Sequence, residues 1–384
     1  ERMGETHVFD VSDEMTKLTL DTIALCSFNY RFNSFYSDEL HSFVKPMVDS
    51  LSEMGRRMTR FPLKTKLMFG TNRKHTSNIE YMHEVGAKIV QTRKKDPNKD
   101  KYKDLLNVML NGIDPVTGEG LSDDNIKNQM ITFLIAGHET TSGLLTFAIY
   151  ELLNNPDKLK IAQEEVEKVL GDQEPTIDHL PQLTYIDQVL KEALRLHPIA
   201  PMYSIIALED TVIGGKYEVK KDENVTILIG WLHKDKTAWG EDVEAFKPER
   251  FAVENIEQLP EDSYKPFGNG QRACIGRFFA MQEGILCLAM LLQRFDIEGS
   301  DPNYVLKINE ALTIKPDNLK MRVKRKELII KKKESSKVNQ EIEEEERREN
   351  INKNAKPLWI LFGSNTGLSE GFARKIYQQA YQYG

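Results

Sequence analysis

A mainly helical fold with a minor β-sheet, followed by the start of a separate α/β unit, is what this sequence predicts. Three observations carry that expectation. Apolar residues recur at helical spacing through most of the first 300 residues. Short alternating segments are confined to one stretch between Ser204 and Ile229. Composition shifts after residue 320, and a new apolar strand begins at Leu358. The 384 residues, 40% of them hydrophobic, suffice for one large domain with an appendage.

The elements follow in order. Residues 11–30 and 37–60 read as helices, separated by the aromatic-rich stretch from Phe28 to Tyr36. Residues 75–95 read as a third helix, ending in Arg93-Lys94-Lys95 before Pro97, and Asn111 to Gly120 reads as a turn. Ser122 is a suitable N-cap with Asp123 and Asp124 in the first turn, and apolar periodicity then runs to Leu153 around a polar centre. Asn155 is expected to cap the next helix, with Pro156 at its first position and Gly171 at its end. Tyr185 to Leu196 is amphipathic and stops before Pro198. Ser204–Leu208, Val212–Val219 and Val225–Ile229 read as strands, with Gly214-Gly215 as a turn. Phe278 to Phe295 is almost wholly apolar and is expected to be a buried helix.

Residues 1–320 therefore form the expected main domain. Arg322 to Lys333 is basic and Glu341 to Glu349 is mostly acidic, so 321–356 reads as a charged linker, the acidic part equally as an exposed ion-paired helix. Residues 357–384 read as the start of a second domain, strand first and helix after. The chain opens on Glu1 in a helix-like pattern and stops just after a strand-loop-helix start, so truncation at both ends is expected and targeting segments stay open.

Net charge of -7 speaks against general nucleic-acid binding. The best apolar run, Ile131 to Leu153, is interrupted by His138-Glu139-Thr140-Thr141, which argues against a membrane span. Cys26, Cys274 and Cys287 make no CxxC pair, which argues against structural zinc and fits a reducing, cytoplasmic setting.

The densest chemical signal is Phe267-Gly268-Asn269-Gly270-Gln271-Arg272-Ala273-Cys274-Ile275-Gly276. A lone cysteine is usually an inert buried residue, and Cys26 and Cys287 sit in apolar helical segments that suit that reading. Cys274 instead follows a polar, glycine-rich, cationic loop and precedes a helix, whose unpaired N–H groups favour a thiolate. Gly268, Gly270 and Gly276 allow close backbone approach, and Arg272 can reach an anionic group beside a metal site.

This stretch resembles the Phe-x-x-Gly-x-Arg-x-Cys-x-Gly signature of the cytochrome P-450 family at every position. The resemblance implies a haem-thiolate monooxygenase fold with haem b as cofactor. It makes Cys274 the proximal iron ligand, lets Arg272 contact a haem propionate, and sets Phe267, with Gly268 and Gly276, around the sulfur. A thiolate donor favours O–O cleavage.

Two further constellations match the family. Glu192 and Arg195 share a helix face, a spacing that usually means a surface ion pair. Here the helix is apolar, and with Arg250 in Pro248-Glu249-Arg250-Phe251 the set is similar to the family's structural Glu-x-x-Arg network, which holds the cysteine loop. Ala136-Gly137-His138-Glu139-Thr140-Thr141 lies mid-helix, where a threonine bonding four residues back bends the helix. An acid beside a hydroxyl can relay protons, as dioxygen cleavage requires, whereas a solvent-facing polar patch is the plainer reading. The segment resembles the family's oxygen-activation motif, which implies that role for Glu139 and Thr140. His138 is expected on the helix surface. The segments around Ala136 and Ala200, and more weakly Leu312, are implied to line the substrate pocket.

After the strand Trp359–Phe362, the loop Ser364-Asn365-Thr366-Gly367-Leu368-Ser369 is small and hydroxyl-rich before a helix, which suits a phosphate, although an ordinary loop looks the same. It resembles the FMN loop of flavodoxin-like domains. The order of haem domain, linker and flavodoxin start is similar to self-sufficient bacterial fatty-acid hydroxylases fused to a diflavin reductase. That resemblance covers the visible chain, including Asn29-Tyr30-Arg31-Phe32-Asn33-Ser34-Phe35-Tyr36. It implies subterminal hydroxylation of a fatty acid by dioxygen, with NADPH electrons passing through FAD and FMN. A homodimer is a candidate state of the parent, and the fragment as given is expected to bind haem poorly. Competing readings are a haem-based gas sensor or carrier, and a peroxide-driven hydroxylase, isomerase or dehydratase. The retained Glu139-Thr140 pair speaks against these.

Overall fold

Capping chemistry and burial set the element boundaries of the computed structural model, in which residues 7–34, 37, 39–310 and 312–327 are described. β1 (Phe9–Asp10) enters α1 (Val11–Phe28), where the Asp10 carboxylate accepts from the Asp13 N–H at 3.2 Å. Asn29 closes that helix in the left-handed region, at φ 47°. α2 (Val44–Thr59), α3 (Pro62–Leu67) and α4 (Phe69–Lys95) follow. The third expected helix thus begins six residues earlier than its apolar pattern suggests, and the second begins later.

Arg93 at the end of α4 is buried, not a solvated member of a basic run. Its guanidinium grips Asp104 at 2.8 Å and the Phe28 carbonyl at 2.9 Å. Asp104 in turn caps α5 (Leu105–Asn111), a helix too short to show a periodicity in the sequence. α6 (Asp123–Asn154) starts on Ser122, as its N-cap pattern implies. α7 (Pro156–Leu170) has no side-chain cap, because the Asn155 amide turns back to the Glu151 carbonyl at 2.8 Å. α8 (Thr184–Leu196) is capped from outside, with the Glu165 carboxylate of α7 accepting from the N–H groups of Tyr185 and Ile186 at 2.7 and 3.0 Å.

The smaller elements then alternate. β2 (Met202–Ile206) pairs with β5 (Asn224–Leu228), and β3 (Thr211–Ile213) pairs with β4 (Tyr217–Val219) across the Gly214-Gly215 turn. α9 (Ile229–Leu232), α10 (Lys236–Trp239) and α11 (Val253–Ile256) are single turns before α12 (Arg277–Arg294). β6 (Phe295–Gly299), β7 (Ile308–Glu310), β8 (Ile314–Pro316) and β9 (Lys320–Arg325) complete the described residues. β9 lies between β1 and β6 in an antiparallel sheet, and β7 pairs with β8. The fold is mainly helical with small antiparallel sheets, as the sequence predicts.

Strands are not confined to the stretch between Ser204 and Ile229 as expected, since β1 and β6 to β9 lie outside it, and two further expectations need correction. The linker was to begin at residue 321, yet 321–325 belong to β9, where Met321 is buried and Val323 packs on the core. The alternation of Met321 and Val323 with lysines and arginines is a half-buried strand pattern inside a basic run. Nor is α12 wholly buried: Phe278 is 52% exposed, and Met290 and Leu291 line a groove with Phe9, Met15 and Leu18. The chain divides between Ile329 and Ile330. The rest of the expected linker, and the loop Ser364 to Ser369 with its flavodoxin-like surroundings, lie outside the described residues.

The core has two large parts, through both of which α6 runs, and a small third cluster of Trp239, Val243 and Phe251. Ile126, Met130, Ile131 and Leu134 pack with α1, α2, α4 and α5. Leu144 to Leu152 pack with α7, α8 and α12. The polar stretch from Ala136 to Ser142 falls at the junction, which places it inside the molecule without filling an apolar core.

Candidate active site

Three glycines set how closely the elements approach here. A Cβ at Gly137 would lie 2.7 Å from the Ile23 side chain of α1, and one at Gly143 would lie 3.2 Å from the Ile314 carbonyl of β8. α1 and β8 therefore press on α6 on either side of Glu139. At Gly284, a Cβ would meet Leu190 at 3.0 Å, which fixes α12 against α8.

Within α6, helical spacing sends His138 and Glu139 inward and leaves Ala136 exposed and Thr140 half-exposed one turn apart. The Thr140 hydroxyl donates to the Ala136 carbonyl at 2.7 Å, the back-bond expected from the sequence. Glu139 is buried, and one carboxylate oxygen accepts from Lys315 Nζ at 2.8 Å while the other accepts from the Thr313 hydroxyl at 3.2 Å. Burial alone would raise its pKa, but the Lys315 ammonium, with His138 and these hydrogen bonds, overcomes that and lowers it. His138 is fully buried, not on the surface as expected. Its pKa is lowered to about 4, chiefly by burial, so the ring is neutral. Nδ1 donates to the Leu134 carbonyl at 2.6 Å, which leaves Nε2 as an unpartnered acceptor 4.0 Å from the Glu139 carboxylate.

Ala200 and Leu312 flank residues that meet the middle of α6. The Ile314 N–H donates to the Ile199 carbonyl at 3.0 Å, and Ile199 also packs on Gly143. Ala200 and Leu312 are exposed beside this junction. Ala136, Glu139 and Thr140 thus share one segment of α6, and Ala200 and Leu312 are chain neighbours of Ile199 and Thr313, which contact it.

The Glu192 and Arg195 side chains are both fully buried and paired through two hydrogen bonds, of 2.7 and 2.8 Å. Arg195 also donates to the carbonyls of His233, Val243 and Ala245 at 3.0, 2.8 and 3.2 Å. Glu192 accepts from the Lys247 N–H at 2.9 Å and lies 3.5 Å from Arg250, which itself binds the carbonyls of Trp239 and Asp242. Burial raises the Glu192 pKa in spite of its cationic neighbours. The positions expected to form one network do so.

That network reaches Cys274 through backbone. His233 Nε2 accepts from the Lys265 N–H at 2.9 Å, the Lys265 carbonyl accepts from the Gly268 N–H at 3.2 Å, and the Phe267 carbonyl accepts from the Cys274 N–H at 2.8 Å. Tyr264 stacks on His233 and donates to the Lys191 carbonyl at 2.9 Å. Sequence reading did not single out His233 or Tyr264, since nothing local marks them.

Gly268 and Gly270 have φ of 71° and 64°, a left-handed turn that a side chain strains. Gly276 then caps α12, with the Cys274 sulfur 3.9 Å from where its Cβ would be. Phe267 packs on the core, whereas Arg272 and Cys274 are exposed. Phe279, early in α12, packs into the cluster that holds Met130 and Leu134, so α12 begins along the middle of α6. By contrast, burial and then Glu283 push the Cys287 thiol up to about 12. The Cys26 thiol is raised by the same two causes, although it is itself exposed.

The cytochrome P450 family matches residues 1–323. This chain belongs to that family. It is 48% identical to the bifunctional cytochrome P450/NADPH–P450 reductase 2 of Bacillus subtilis (strain 168), over 100% of this chain and 36% of that protein. It is 46% identical to the bifunctional cytochrome P450/NADPH–P450 reductase of Bacillus cereus, over 99% of this chain and 36% of the relative. A self-sufficient cytochrome P450 monooxygenase of Phanerodontia chrysosporium is 45% identical, over 100% of this chain and 37% of its own length. The chain therefore spans little more than a third of these relatives.

The family implies haem, and the residues present fit it. A bare thiol stands on a loop whose glycines keep side chains away, between an exposed arginine suited to an anionic edge and the uncovered apolar side chains of Ile275, 85% exposed, and Phe278. Cys274 would hold the iron, and Arg272 a carboxylate of the macrocycle. Haem bound there supplies the iron at which dioxygen is reduced, and a thiolate donor favours that cleavage. Contacts run from Arg195 through His233 and Lys265 to the Cys274 loop, and against burial Lys315 lowers the pKa of Glu139, which precedes the half-exposed Thr140 in α6.

Proposed function

We propose that this chain is the haem-thiolate part of a self-sufficient monooxygenase that hydroxylates fatty acids near the methyl end. One dioxygen, one NADPH and one proton react with a C–H bond to give an alcohol, water and NADP+. The electrons come from a fused reductase through FAD and FMN. Residues 328–356 act as linker, and Ser364 to Ser369 hold the FMN phosphate. The reading places the protein in the cytoplasm, where NADPH is supplied.

The observation that carries the reading is the Cys274 loop, an exposed thiol tied by its backbone to a saturated buried ion pair. The Glu139-Thr140 pair supports dioxygen over peroxide as oxidant, because dioxygen cleavage consumes protons that must arrive without bulk water. The substrate class rests on the resemblance of the domain order to self-sufficient fatty-acid hydroxylases and on the apolar, small-residue character of Ala136, Ala200 and Leu312.

The haem-loaded protein, given NADPH, a diflavin reductase and a series of saturated fatty acids, should form subterminal alcohols in step with NADPH use. Cys274→Ser should abolish this. Thr140→Ala should divert most NADPH to peroxide or water. Product formed equally well by Cys274→Ser would end the proposal, and so would turnover of none of the acids.

A further inference from the structure

We propose that Lys315 is a positioning residue for proton delivery: it holds Glu139 as a carboxylate at one place between α1, α6 and β8. This rests on the reading of Glu139 and Thr140 as the proton-handling pair. It adds a residue that no sequence motif marks.

The geometry is built for this contact. Gly137 and Gly143 bring α1 and β8 onto α6 on both sides of Glu139. Pro316 follows Lys315 and biases it to extended backbone, which directs the side chain from the strand. The ammonium lies 2.8 Å from one Glu139 oxygen and 3.3 Å from the Thr16 hydroxyl of α1, so it joins all three elements. Thr313, two residues earlier on the same face, occupies the other Glu139 oxygen. Both carboxylate oxygens are thus committed to this one strand segment.

The charged or titratable groups acting on Glu139 are Lys315 from β8 and His138 from α6, while α1 brings the Thr16 hydroxyl and the charge of the Asp13 carboxylate to bear on Lys315. His138 is neutral, so Lys315 is the cation that keeps Glu139 ionised. Without it, a carboxyl this deeply buried takes up a proton. It then holds that proton against transfer, and its place is no longer fixed.

The test compares Lys315→Met, Lys315→Arg, Glu139→Gln and the Lys315→Met/Glu139→Gln double variant in the haem-loaded protein. Two quantities are read. The first is the fraction of NADPH oxidation that appears as product, with NADPH and a diflavin reductase supplied. The second, independent of turnover, is the infrared band of a protonated carboxylic acid at neutral pH. Lys315→Met should lower the coupled fraction about tenfold or more, as loss of a proton-transfer group does. It should add an acid band that vanishes in the double variant. Lys315→Arg should restore most coupling and remove the band. The double variant should couple no worse than Glu139→Gln.

If Lys315→Met does not fold, Lys315→Gln keeps a donor without the charge and should give the same pair of changes. Wild-type coupling in the Lys315 variants while Glu139→Gln is impaired would overturn the role of Lys315 and leave the proton-handling reading standing. Wild-type coupling in Glu139→Gln overturns both. Impaired coupling without a new acid band overturns the ionisation argument and makes Lys315 merely structural.

Discussion

Two buried glutamates, each beside a cation, behave differently in this molecule. At Glu192 the ion pair itself is fully committed, although Arg250 Nε and His233 Nδ1 beside it have no hydrogen-bond partner: Arg195 is shared among the carboxylate and three backbone carbonyls, and a backbone N–H completes the acid. At Glu139 the surroundings keep spare capacity. His138 Nε2 has no partner, Thr140 is half-exposed, and the cation comes from a distant strand. A committed ion pair transmits position, and here its contacts run through His233 and Lys265 to the loop that carries Cys274. An unsaturated one can exchange protons. In the proposed function, the same residue type serves as scaffold in one region and as chemistry in the other, and the difference lies in the cation: Arg195 is shared with three backbone carbonyls, whereas Lys315 has one hydroxyl besides the acid.

The largest effect that could break this comparison is at Arg195. Arg195→Ala leaves Glu192 and three carbonyls unmatched and should cost about 3–5 kcal/mol in urea unfolding. Thr140→Ala should cost no more than about 1 kcal/mol while impairing turnover. Equal stability losses would dissolve the distinction between scaffold and chemistry.

pH sharpens it next. His138 and His233 both titrate near 4 in the folded state against an ordinary value of 6.5. Burial is the main cause in each. A depressed histidine is neutral in the fold, so the unfolded chain binds more protons between these values. Stability should therefore be full above about pH 6.5 and fall as pH drops towards 4, by about 3 kcal/mol for each group. Urea titrations from pH 4 to 7 check this, and a flat profile would contradict it.

Glu283 gives the opposite sign. Both its oxygens are buried, with the nearby Thr22 hydroxyl donating instead to the Leu18 carbonyl, and burial raises its pKa to about 8 against a smaller lowering by Thr22. A raised carboxyl contributes stability below its unfolded value of about 4.5 that is lost as pH rises through 8. Glu283→Gln should remove this loss, so that at pH 8 the variant is the more stable by about 2–4 kcal/mol.

Backbone geometry accounts for the smaller effects. Gly137→Ala forces α1 from α6 and should cost about 1–3 kcal/mol, an effect that shrinks in an Ile23→Ala background, which removes the Cγ1 and Cδ1 atoms that the new Cβ meets at 2.7 and 2.9 Å. Gly270→Ala meets no atom within 4 Å, so only its positive φ should cost, about 1–2 kcal/mol.

What the sequence revealed was contiguous. The Cys274 loop, the Glu192–Arg195 spacing and the centre of α6 each lie within ten residues, where spacing alone fixes a shared face or turn. What it hid was distant or short. Lys315 reaches Glu139 across 176 positions, and one lysine in a short strand carries no sign of burial. His233 meets Lys265 only after the loops between them fold. α5 is too brief for a period to show. β9 was legible in principle, from Met321 and Val323 alternating with cations, but the charge of the run masks it. His138 went the other way, because a polar residue at mid-helix reads as exposed until a second core is packed against it.

The central claim is that Cys274 meets the haem iron as a thiolate held by the Arg195 network. The most direct test is the absorption spectrum of the reduced, carbon-monoxide-bound, haem-loaded protein beside its Cys274→Ser variant. A strongly red-shifted Soret band in the first and its loss in the second is the predicted result. An unshifted band in the first, or a red-shifted band that survives in the second, would contradict the account.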